Sequence, residues 1–349
     1  MILKICFLSH KFYPDIGGIE SNSEILALAF AKAGHTVHLI TWSPSAGKED
    51  WPYKVVRNPG VSRLIKEYLW ADILFENNPV LRLSWPNLFI GRPSVIVLHT
   101  WVTRLDGSLA SQDRVKLWWL GRAQKVIVVS EALRKRCWPA ATTIGNPYQS
   151  DQFRLMPGIS RTRDFVFLGR LVSDKGTDQA IAAIHQLTNG PNKHLFPSQK
   201  PTLTIIGSGP DSDKLKQLVA SLGLEQQIRF TGAVRGEELT ACLSRHRFLL
   251  VPSAWEEPFG MVVLEGMACG CLPIVSDGGG LPDAVGKAGL TFRRNDVGSL
   301  VACIEYILSH PELEQQIRNE TPGHLAAHHP VVIAERYLGV IEAIMQTRN

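Results

Sequence analysis

Two glutamates stand in a segment whose pattern passes from strand to loop to helix. Seven residues separate Glu257, in the loop after a strand that ends near Val251, from Glu265, in a helix that runs to about Cys269. Gly260 lets the backbone approach a ligand, and the N–H groups at the helix N-terminus favour an anion such as phosphate. Glu265 lies in an otherwise apolar stretch and needs a partner there, which argues against a plain surface glutamate. The pair indicates a site that holds two parts of one extended ligand.

Two cations flank a short turn near the start of the second half of the chain. Arg170 and Lys175 follow a strand predicted at residues 164–168. An arginine can grip a diphosphate as a fork, and a lysine can do so as a point charge. Two solvated loop cations are the alternative. Together with the acidic loop, the two cations favour a diphosphate site.

Glycines and a histidine follow other predicted strands. Gly17-Gly18 resembles a phosphate-cradling turn before a helix, with a plain tight turn as the alternative. His99 follows a strand at residues 95–98, so it either points into a ligand cleft or is a hydrogen-bonded structural histidine. The glycines at 278–280 permit close backbone approach to a ligand. The fingerprint G-x-G-x-x-G is absent, which weakens a nicotinamide or flavin interpretation.

Two groups of residues resemble metal ligands but have simpler explanations. Asp211 and Asp213 form a D-x-D pair, yet they open a predicted helix, where acidic side chains stabilise the N-terminus. His324, His328 and His329 cluster without a carboxylate or a cysteine beside them, so we expect a solvated helix end. The sequence therefore predicts no metal site.

Strand and helix patterns alternate along the chain and then restart. A strand at 2–8, a helix at 24–31 and a strand at 36–41 form a βαβ unit, which implies a parallel sheet. Further strands are predicted at residues 71–75, 94–98, 125–129, 164–168, 203–206, 248–251 and 272–275, with helices at 177–187 and 331–345. Because the pattern restarts after a linker at 146–163, we predict an α/β chain of two Rossmann-like domains. We expect the active site in the cleft between them, at the carboxyl ends of their strands.

The composition is that of a folded enzyme. The chain has 349 residues, of which 45% are hydrophobic and 20% are charged, and this length suits two cores of ordinary size. The six cysteines lack metal-ligand spacing, so we expect free thiols in a reducing compartment. Since no secretory signal and no apolar run of about 18 residues occurs, we expect a cytoplasmic protein.

The net charge of +5 is distributed unevenly. Residues 1–160 hold 19 Lys and Arg against 12 Asp and Glu, while the remainder holds 18 against 20. A basic first half favours an anionic membrane or an anionic acceptor, with an ordinary solvated face as the alternative. Segment 114–125 mixes basic and aromatic residues at helical spacing, so it either lies on a membrane at its inner face or packs as a helix with a basic solvent face. We expect no nucleic-acid partner.

These motifs, in their order and spacing, resemble the retaining glycosyltransferases of family 4. The resemblance covers almost the whole chain, and its central piece is the E-x7-E motif from Glu257 to Glu265. The other pieces are Gly17-Gly18 with Glu20, residues 33–37, Gly169-Arg170-Leu171 with Lys175-Gly176, residues 207–210, 230–232 and 279–282. The resemblance implies the GT-B fold, in which two Rossmann-like domains face each other across a cleft.

The family resemblance also implies domains and residue roles. Residues 1–160 would form the acceptor-binding domain, residues 161–330 the nucleotide-sugar-binding domain, and the helix at 331–349 would pack back toward the first domain. The implied catalytic residues are His99, Arg170, Lys175 and Glu257. The implied donor-binding residues are Gly17, Gly18, Gly207, Val234, Phe259, Gly260 and Glu265.

The implied reaction moves a hexose from a UDP- or GDP-sugar to a glycan, a lipid-linked or a small-molecule acceptor. Fixed cations and helix N–H groups can stabilise the leaving diphosphate, so neither a metal nor another cofactor is expected. Retention implies a covalent intermediate or same-face attack, and no nucleophile stands out. A sugar-nucleotide epimerase, a phosphorylase or a non-catalytic nucleotide-sugar-binding protein remains as the alternative.

Overall fold

The computed structural model of the protein describes residues 1–15, 17–45, 47, 50–103, 108–191, 193–196 and 200–347. The chain forms two compact units. Residues 1–149 and 328–349 make up the first unit, and residues 150–327 make up the second. The division between the units thus falls before the boundary predicted at residue 160, because residues 150–160 pack with the second unit.

Each unit is an alternation of strands and helices. The strands are β1 (Lys4–Leu8), β2 (Thr36–Thr41), β3 (Lys54–Arg57), β4 (Ile73–Asn77), β5 (Ser94–Leu98), β6 (Lys125–Val128), β7 (Thr142–Thr143), β8 (Arg163–Leu168), β9 (Leu203–Ile206), β10 (Ile228–Gly232), β11 (His246–Val251), β12 (Leu272–Ser276) and β13 (Leu290–Phe292). The helices are α1 (Gly18–Lys32), α2 (Val61–Trp70), α3 (Leu81–Ser84), α4 (Asn87–Ile90), α5 (Ser111–Leu120), α6 (Glu131–Cys137), α7 (Thr177–Asn189), α8 (Ser212–Ser221), α9 (Gly236–Ser244), α10 (Met261–Ala268), α11 (Leu281–Val285), α12 (Val297–Ser309), α13 (Pro311–Ala327) and α14 (Pro330–Gln346).

The first unit contains a parallel sheet in the order β3-β2-β1-β4-β5-β6-β7. Strands β1, β4 and β5 are buried almost throughout, as expected for a parallel sheet that is covered on both faces. The strand order reverses between β1 and β4. Open α/β sheets bind ligands beyond the carboxyl ends of the strands at such a reversal.

Aromatic side chains fill one face of this sheet. Phe7 on β1 lies beside Phe75 on β4, with ring centroids 4.8 Å apart, and Phe75 meets Phe30 of α1 edge to face at 5.3 Å. Tyr337 of the last helix contacts the same Phe75 at 5.5 Å. Helix α14 thus packs beside α1 and belongs to the core of the first unit.

The second unit repeats the plan with the strand order β10-β9-β8-β11-β12-β13, again all parallel. The reversal of strand order lies between β8 and β11. Its core is a cluster of buried side chains from the central strands and from helices α7 and α12, including Phe165, Phe248 and Ile304. The loops that leave β8 and β11 are therefore the ones placed at the ligand-binding position of this sheet.

Most predicted elements are present, with shifted ends. The predicted strands at 94–98 and 203–206 match β5 and β9. Helix α1 begins at Gly18 rather than near residue 24, because the polar run 20–24 continues the helix before its apolar face begins. Asp211 and Asp213 stand at the start of α8, as predicted. Among the described residues, no helix has both the length and the apolar character needed to cross a membrane.

Candidate functional site

In the first unit, two predicted site elements lie at the carboxyl edge of the sheet. Gly17 is the residue before α1, and Gly18 is the first residue of that helix. The carboxylate of Glu20 occupies the space where a side chain at Gly17 would lie. His99 follows β5 directly, and it is 7% exposed. The N-terminal end of α1 and His99 are thus both at the reversal of strand order.

A strained turn after β4 supports the backbone of His99. Asn78 has a positive φ of 86°, which is uncommon for a residue other than glycine. Its side-chain oxygen accepts hydrogen bonds from the His99 N–H at 3.2 Å and from the hydroxyl of Thr100 at 3.3 Å. Such strained positions often occur at functional sites. Asn78 therefore fixes where the chain leaves β5.

A buried polar network continues from His99 to the start of α1. His99 Nε2 lies 2.7 Å from Asn77 Oδ1, and Asn77 Nδ2 donates to Ser23 Oγ at 2.7 Å. Burial lowers the pKa of His99 to about 3, so the ring is neutral at ordinary pH. Asn77 was not predicted from the sequence as a site residue. The polar residues directly after a buried strand were a usable signal, the same one that identified His99.

In the second unit, the loops after β8 and β9 are joined closely. Gly207 has a φ of 144°, and a Cβ there would collide with the carbonyl oxygen of Gly169. The N–H of Leu171 donates to the carbonyl of Ser208 at 2.9 Å, and the N–H of Asp211 donates to that of Leu171 at 3.1 Å. Only glycine allows this approach at Gly207. The two loops are therefore held in a fixed relation beside the reversal of strand order.

The predicted cation Lys175 and the predicted carboxylate Glu257 are in contact. Lys175 Nζ donates to Glu257 Oε1, and Ser253 Oγ donates to the same oxygen at 2.9 Å. The backbone of the Lys175 turn is held too, because the N–H groups of Ala254 and Trp255 donate to the carbonyl of Asp174 at 3.0 and 3.1 Å. The loops after β8 and β11 thus form one charged cluster. It lies where the strand order of this sheet reverses.

A third loop holds the backbone of Glu257. The N–H of Gly280, in the glycine run after β12, donates to the Glu257 carbonyl at 2.7 Å. The hydroxyl of Ser276 at the end of β12 donates to the Ser253 carbonyl at 2.9 Å. The glycine run 278–280 therefore supports the acidic loop from behind.

Helix α10 begins directly after this loop. Its N-cap, Gly260, has a φ of 107°, and the side chain of Leu281 occupies the space beside its Cα. The preceding residue, Phe259, is 3% exposed and anchors the loop in the core. The N–H groups at the first turn of α10 favour a negative charge at this end.

Glu265 lies one turn into α10 with part of its surface accessible. Protein atoms crowd its carboxyl group, and this burial raises the pKa to about 7. Within the described part of the chain, its carboxyl group has no hydrogen-bond or ion-pair partner. Polar groups in such surroundings gain from a hydrogen-bond donor that arrives with a ligand.

The remaining predicted residues of this unit are accessible. Arg170 follows β8 and is exposed, without a side-chain partner among the described residues. Val234 lies half-buried in the loop between β10 and α9. The structure thus brings Lys175, Glu257 and Gly260 together. It places Arg170 and Gly207 on the adjoining loops, whereas Gly17, Gly18 and His99 belong to the other unit.

No three His, Cys, Asp or Glu side chains gather into a possible metal site in the part of the chain that the structure describes. The histidines near the second boundary have other roles. His324 Nε2 donates to the carbonyl of Ala284 at 2.8 Å, and His328 Nδ1 donates to that of Asn146 at 2.9 Å. The expectation of a solvated helix end was wrong for these two, because each ring is partly buried and hydrogen-bonded to a neighbouring segment.

Comparison with known proteins identifies the family. Residues 156–324 match the family "Glycosyl transferases group 1". The chain is also 34% identical over 376 residues to the glycogen synthase of Mycobacterium tuberculosis, an alignment that covers 90% of this chain and 88% of that protein. The chain belongs to the group 1 glycosyltransferases.

Other similarities agree with this family. The glycosyltransferase is 26% identical over 349 residues to the GDP-mannose-dependent alpha-(1-6)-phosphatidylinositol monomannoside mannosyltransferase of Mycolicibacterium smegmatis, with 87% of this chain and 89% of that protein covered. Anabaena Alr3699/HepE, solved in complex with UDP, matches it with a TM-score of 0.81 at 19% identity, over 98% of this chain and all of the other. The predicted fold of two Rossmann-like domains, as in GT-B structures, is confirmed.

Proposed function

We propose that this glycosyltransferase moves a hexose from a UDP- or GDP-sugar to a glycan, a glycolipid or a small-molecule acceptor. The observation that carries the proposal is the contact between Lys175 and Glu257 at the reversal of strand order in the second unit. A cation and a carboxylate on adjoining loops suit a ligand that has both a diphosphate and a hydroxyl-rich sugar. The relative solved with UDP supports a nucleotide donor.

In this proposal the second unit binds the donor. Arg170 and Lys175 hold the diphosphate, and the N-terminal turn of α10 after Gly260 adds backbone N–H groups. Glu257 and the backbone at Phe259 hold the sugar. Gly207 and Val234 line the position of the base.

Glu265 in this proposal accepts hydrogen bonds from the ribose hydroxyls. Its carboxyl group is crowded by protein, has a raised pKa, and lacks a partner among the described residues. Two ribose hydroxyls would stabilise the ionised form, because hydrogen bonds donated to a carboxylate favour its charge.

The first unit in this proposal binds the acceptor. Its residues Gly17 and Gly18 contribute to donor binding, and its His99 contacts the sugar that is transferred.

The proposed reaction retains the configuration of the sugar. The bond between the anomeric carbon and the β-phosphate oxygen breaks, and an acceptor hydroxyl oxygen bonds to that carbon on the same face. The acceptor proton passes to the departing phosphate oxygen, so atoms and charge balance. Arg170, Lys175 and the helix N–H groups stabilise the charge that develops on the diphosphate, and no metal takes part.

The first experiment measures release of nucleoside diphosphate from UDP-, GDP- and ADP-sugars by the purified protein, with a chelator present. We expect release from one donor, unchanged by the chelator, and a strong loss in E257A with the fold retained by circular dichroism. Transfer that E257A leaves unchanged would refute the site assignment. Release that needs an added metal would refute metal independence. Interconversion of the donor sugar without release would favour the epimerase alternative, and donor binding without turnover would favour a binding protein.

The product's anomeric configuration tests retention. Proton NMR of the transferred sugar reports whether its anomeric bond has the orientation that it had in the donor. We expect the same orientation, and an inverted product would refute same-face attack.

We also propose that the helix α5 makes contact with anionic membrane. Trp118 of this helix is 54% exposed, and the guanidinium of Arg122 lies 5.4 Å from its ring centroid. The neighbouring Trp119 is buried, whereas about half of the Trp118 surface is in contact with solvent. An aromatic side chain beside cations suits the surface of an anionic bilayer.

Co-sedimentation with vesicles tests the membrane proposal. Vesicles that contain phosphatidylglycerol should bind the protein, W118A should weaken this binding, and neutral phosphatidylcholine vesicles should bind poorly. Y306A, which removes an aromatic side chain of equal 54% exposure from the second unit, is the matched control. Equal sedimentation of W118A and wild type would favour the solvent-facing alternative.

A further inference from the structure

The side-chain amide of Asn77 joins the first two turns of α1 to the ring of His99. Asn77 is completely buried at the end of β4. Its nitrogen Nδ2 lies 2.7 Å from Ser23 Oγ and 3.4 Å from the carbonyl oxygen of Ile19. Its oxygen Oδ1 lies 2.7 Å from His99 Nε2. One amide therefore bridges two elements at the reversal of strand order.

The surroundings of Asn77 determine which way its amide points. The carbonyl of Ile19 can only accept a hydrogen bond, so an amide oxygen in place of Nδ2 would face another oxygen. Ser23 Oγ already has acceptors for its own proton, because it lies 2.8 Å from the same Ile19 carbonyl and 2.8 Å from Ser9 Oγ, whose proton goes to the Lys11 carbonyl. The Ser23 oxygen is thus available to accept from Nδ2. Both neighbours favour the nitrogen on this side and leave Oδ1 facing His99.

The orientation of the amide then determines the proton on His99. Because Oδ1 can only accept, the ring nitrogen Nε2 must carry the proton of the short contact. A neutral imidazole has one protonated nitrogen, so Nδ1 carries a lone pair. Among the described residues, Nδ1 has no hydrogen-bond partner. Burial, which lowers the pKa of His99 to about 3, keeps the ring neutral over the ordinary pH range.

We propose that Asn77 is a positioning residue that holds His99 in the Nε2–H tautomer, so that Nδ1 accepts a hydrogen bond from a hydroxyl of the donor sugar. The identity of the ligand rests on the proposed function, whereas the tautomer does not. A histidine with a fixed acceptor selects a hydroxyl that can donate and rejects a group that only accepts. Loss of the fixed tautomer would thus weaken this contact without removing the ring.

The tautomer can be measured directly in the whole protein. Long-range ¹H–¹⁵N spectra of protein labelled with ¹⁵N-histidine distinguish the two neutral tautomers and the charged ring, and H99Q assigns the His99 signals among the 11 histidines. We expect Nε2–H and a bare Nδ1 throughout the range from pH 5 to 8. A wild-type spectrum of the Nδ1–H tautomer, or of a charged ring in this range, would overturn the proposal.

Two variants distinguish the loss of the Asn77 acceptor from a general disturbance of packing around His99. N77L removes the acceptor, and we expect mixed tautomers together with a fall of about tenfold in kcat/KM for the donor, which corresponds to one hydrogen bond. S23A disturbs the same buried network but leaves the Ile19 carbonyl to orient the amide, so we expect the Nε2–H tautomer to remain. Nε2–H retained in N77L, with unchanged kcat/KM, would overturn the positioning role. If N77L fails to fold, the wild-type and S23A spectra decide the tautomer.

The hydrogen bond between His99 Nδ1 and the sugar can be tested separately from the tautomer. Addition of the UDP- or GDP-sugar that the protein uses should move the Nδ1 resonance toward that of a hydrogen-bonded nitrogen, while the free nucleoside diphosphate should not. A protein that turns over a sugar nucleotide with no change at Nδ1 would refute the sugar contact. A protein that uses no sugar nucleotide at all would refute the proposed function, and the spectra of the free protein would still decide the tautomer.

Discussion

Lys175 and Glu257 share one hydrogen bond across the two loops that leave β8 and β11. Ser253 donates to the same carboxylate oxygen at 2.9 Å, so the charge of Glu257 is compensated before any ligand arrives. Both side chains are partly accessible, with 22% and 15% of their surfaces exposed. A diphosphate that binds here would draw Lys175 from the carboxylate. In the proposed function, the resting ion pair therefore holds both side chains near the positions from which they bind the donor.

Replacement of Lys175 should lower activity toward the donor much more than it lowers the stability of the fold. In the proposed function K175A removes a cation that faces the leaving diphosphate, and we expect kcat/KM for the donor to fall by roughly 10² to 10³. The melting temperature should fall only modestly, because Glu257 keeps the hydrogen bond from Ser253 after Lys175 is removed. K216A is the matched control, since Lys216 pairs with Asp213 on the exposed face of α8 at 3.4 Å. Equal kinetic effects in K175A and K216A would contradict a role for Lys175 at the diphosphate.

We expect Glu265 to make the free protein less stable at high pH. Its pKa is raised to about 7, so the folded state binds a proton that the unfolded state releases near the ordinary value of 4.5. The stabilisation from this proton is complete below pH 4.5 and is lost as pH rises through 7. E265Q keeps a neutral group there, and we expect it to be more stable than wild type at pH 8 by about 1 to 3 kcal/mol.

Thermal unfolding at pH 5 and pH 8 tests this expectation. The advantage of E265Q should nearly vanish at pH 5, and the exposed control E312Q should show no advantage at either pH. The donor should bind E265Q more weakly, since an amide is a poorer acceptor than a carboxylate for ribose hydroxyls. A variant that is less stable than wild type at pH 8 would show that the carboxylate has a partner in the folded protein.

The fold could be predicted from the sequence because the patterns that indicate it, buried strands followed by helices, are local in the chain. Buried strands followed by helices predicted a parallel sheet in each half, and Glu257 and Lys175 could be selected because each follows a strand end. The partner of each side chain could not be predicted in this way. The contact between Lys175 and Glu257 spans 82 positions, and it depends on β8 and β11 being neighbours in the sheet.

Two further roles depend on partners that are distant in the chain. Asn77 matters through a contact with His99, 22 positions away. Its place after a predicted strand makes it a candidate, but the same is true of every polar residue at such a position. His324 looked solvated because its own helix is polar, although its ring bonds to a carbonyl of α11. In both cases the deciding partner comes from another element.

Gly207 should tolerate no side chain, for a reason beyond its dihedral angle. Gly207 and Gly223 both have positive φ, at 144° and 65°, but only at Gly207 would a Cβ collide with another backbone, that of Gly169. We expect G223A to cost about 1 kcal/mol of folding free energy, whereas G207A should cost clearly more and also weaken donor binding. Urea unfolding and a donor titration check both effects. Similar losses in the two variants would show that the β8 and β9 loops can separate without cost.

Glu314 stabilises the second unit through two arginines. It is 8% exposed on α13, and it accepts from Arg247 Nε at 3.0 Å and from Arg318 Nε at 2.9 Å. Arg318 also donates to the carbonyl of Gly270, just after α10, at 2.9 Å. Burial alone would raise the pKa of Glu314, but the hydrogen bonds from Arg247 and Arg318 outweigh it and lower the pKa. The cluster therefore ties α13 to the end of the helix that carries Glu265.

E314A leaves two arginines without their shared acceptor, and we expect a loss of about 2 to 3 kcal/mol in the free energy of unfolding at pH 7. The contribution of Glu314 is complete above its ordinary pKa of 4.5 and is lost as pH falls through the lowered value. The difference between wild type and E314A should therefore shrink in strongly acidic buffer, as measured by urea unfolding. E312A, from an exposed position on the same helix, should match wild type at both pH values. A loss in E314A that persists unchanged in acid would mean that side-chain packing, rather than the charge of Glu314, holds α13 in place.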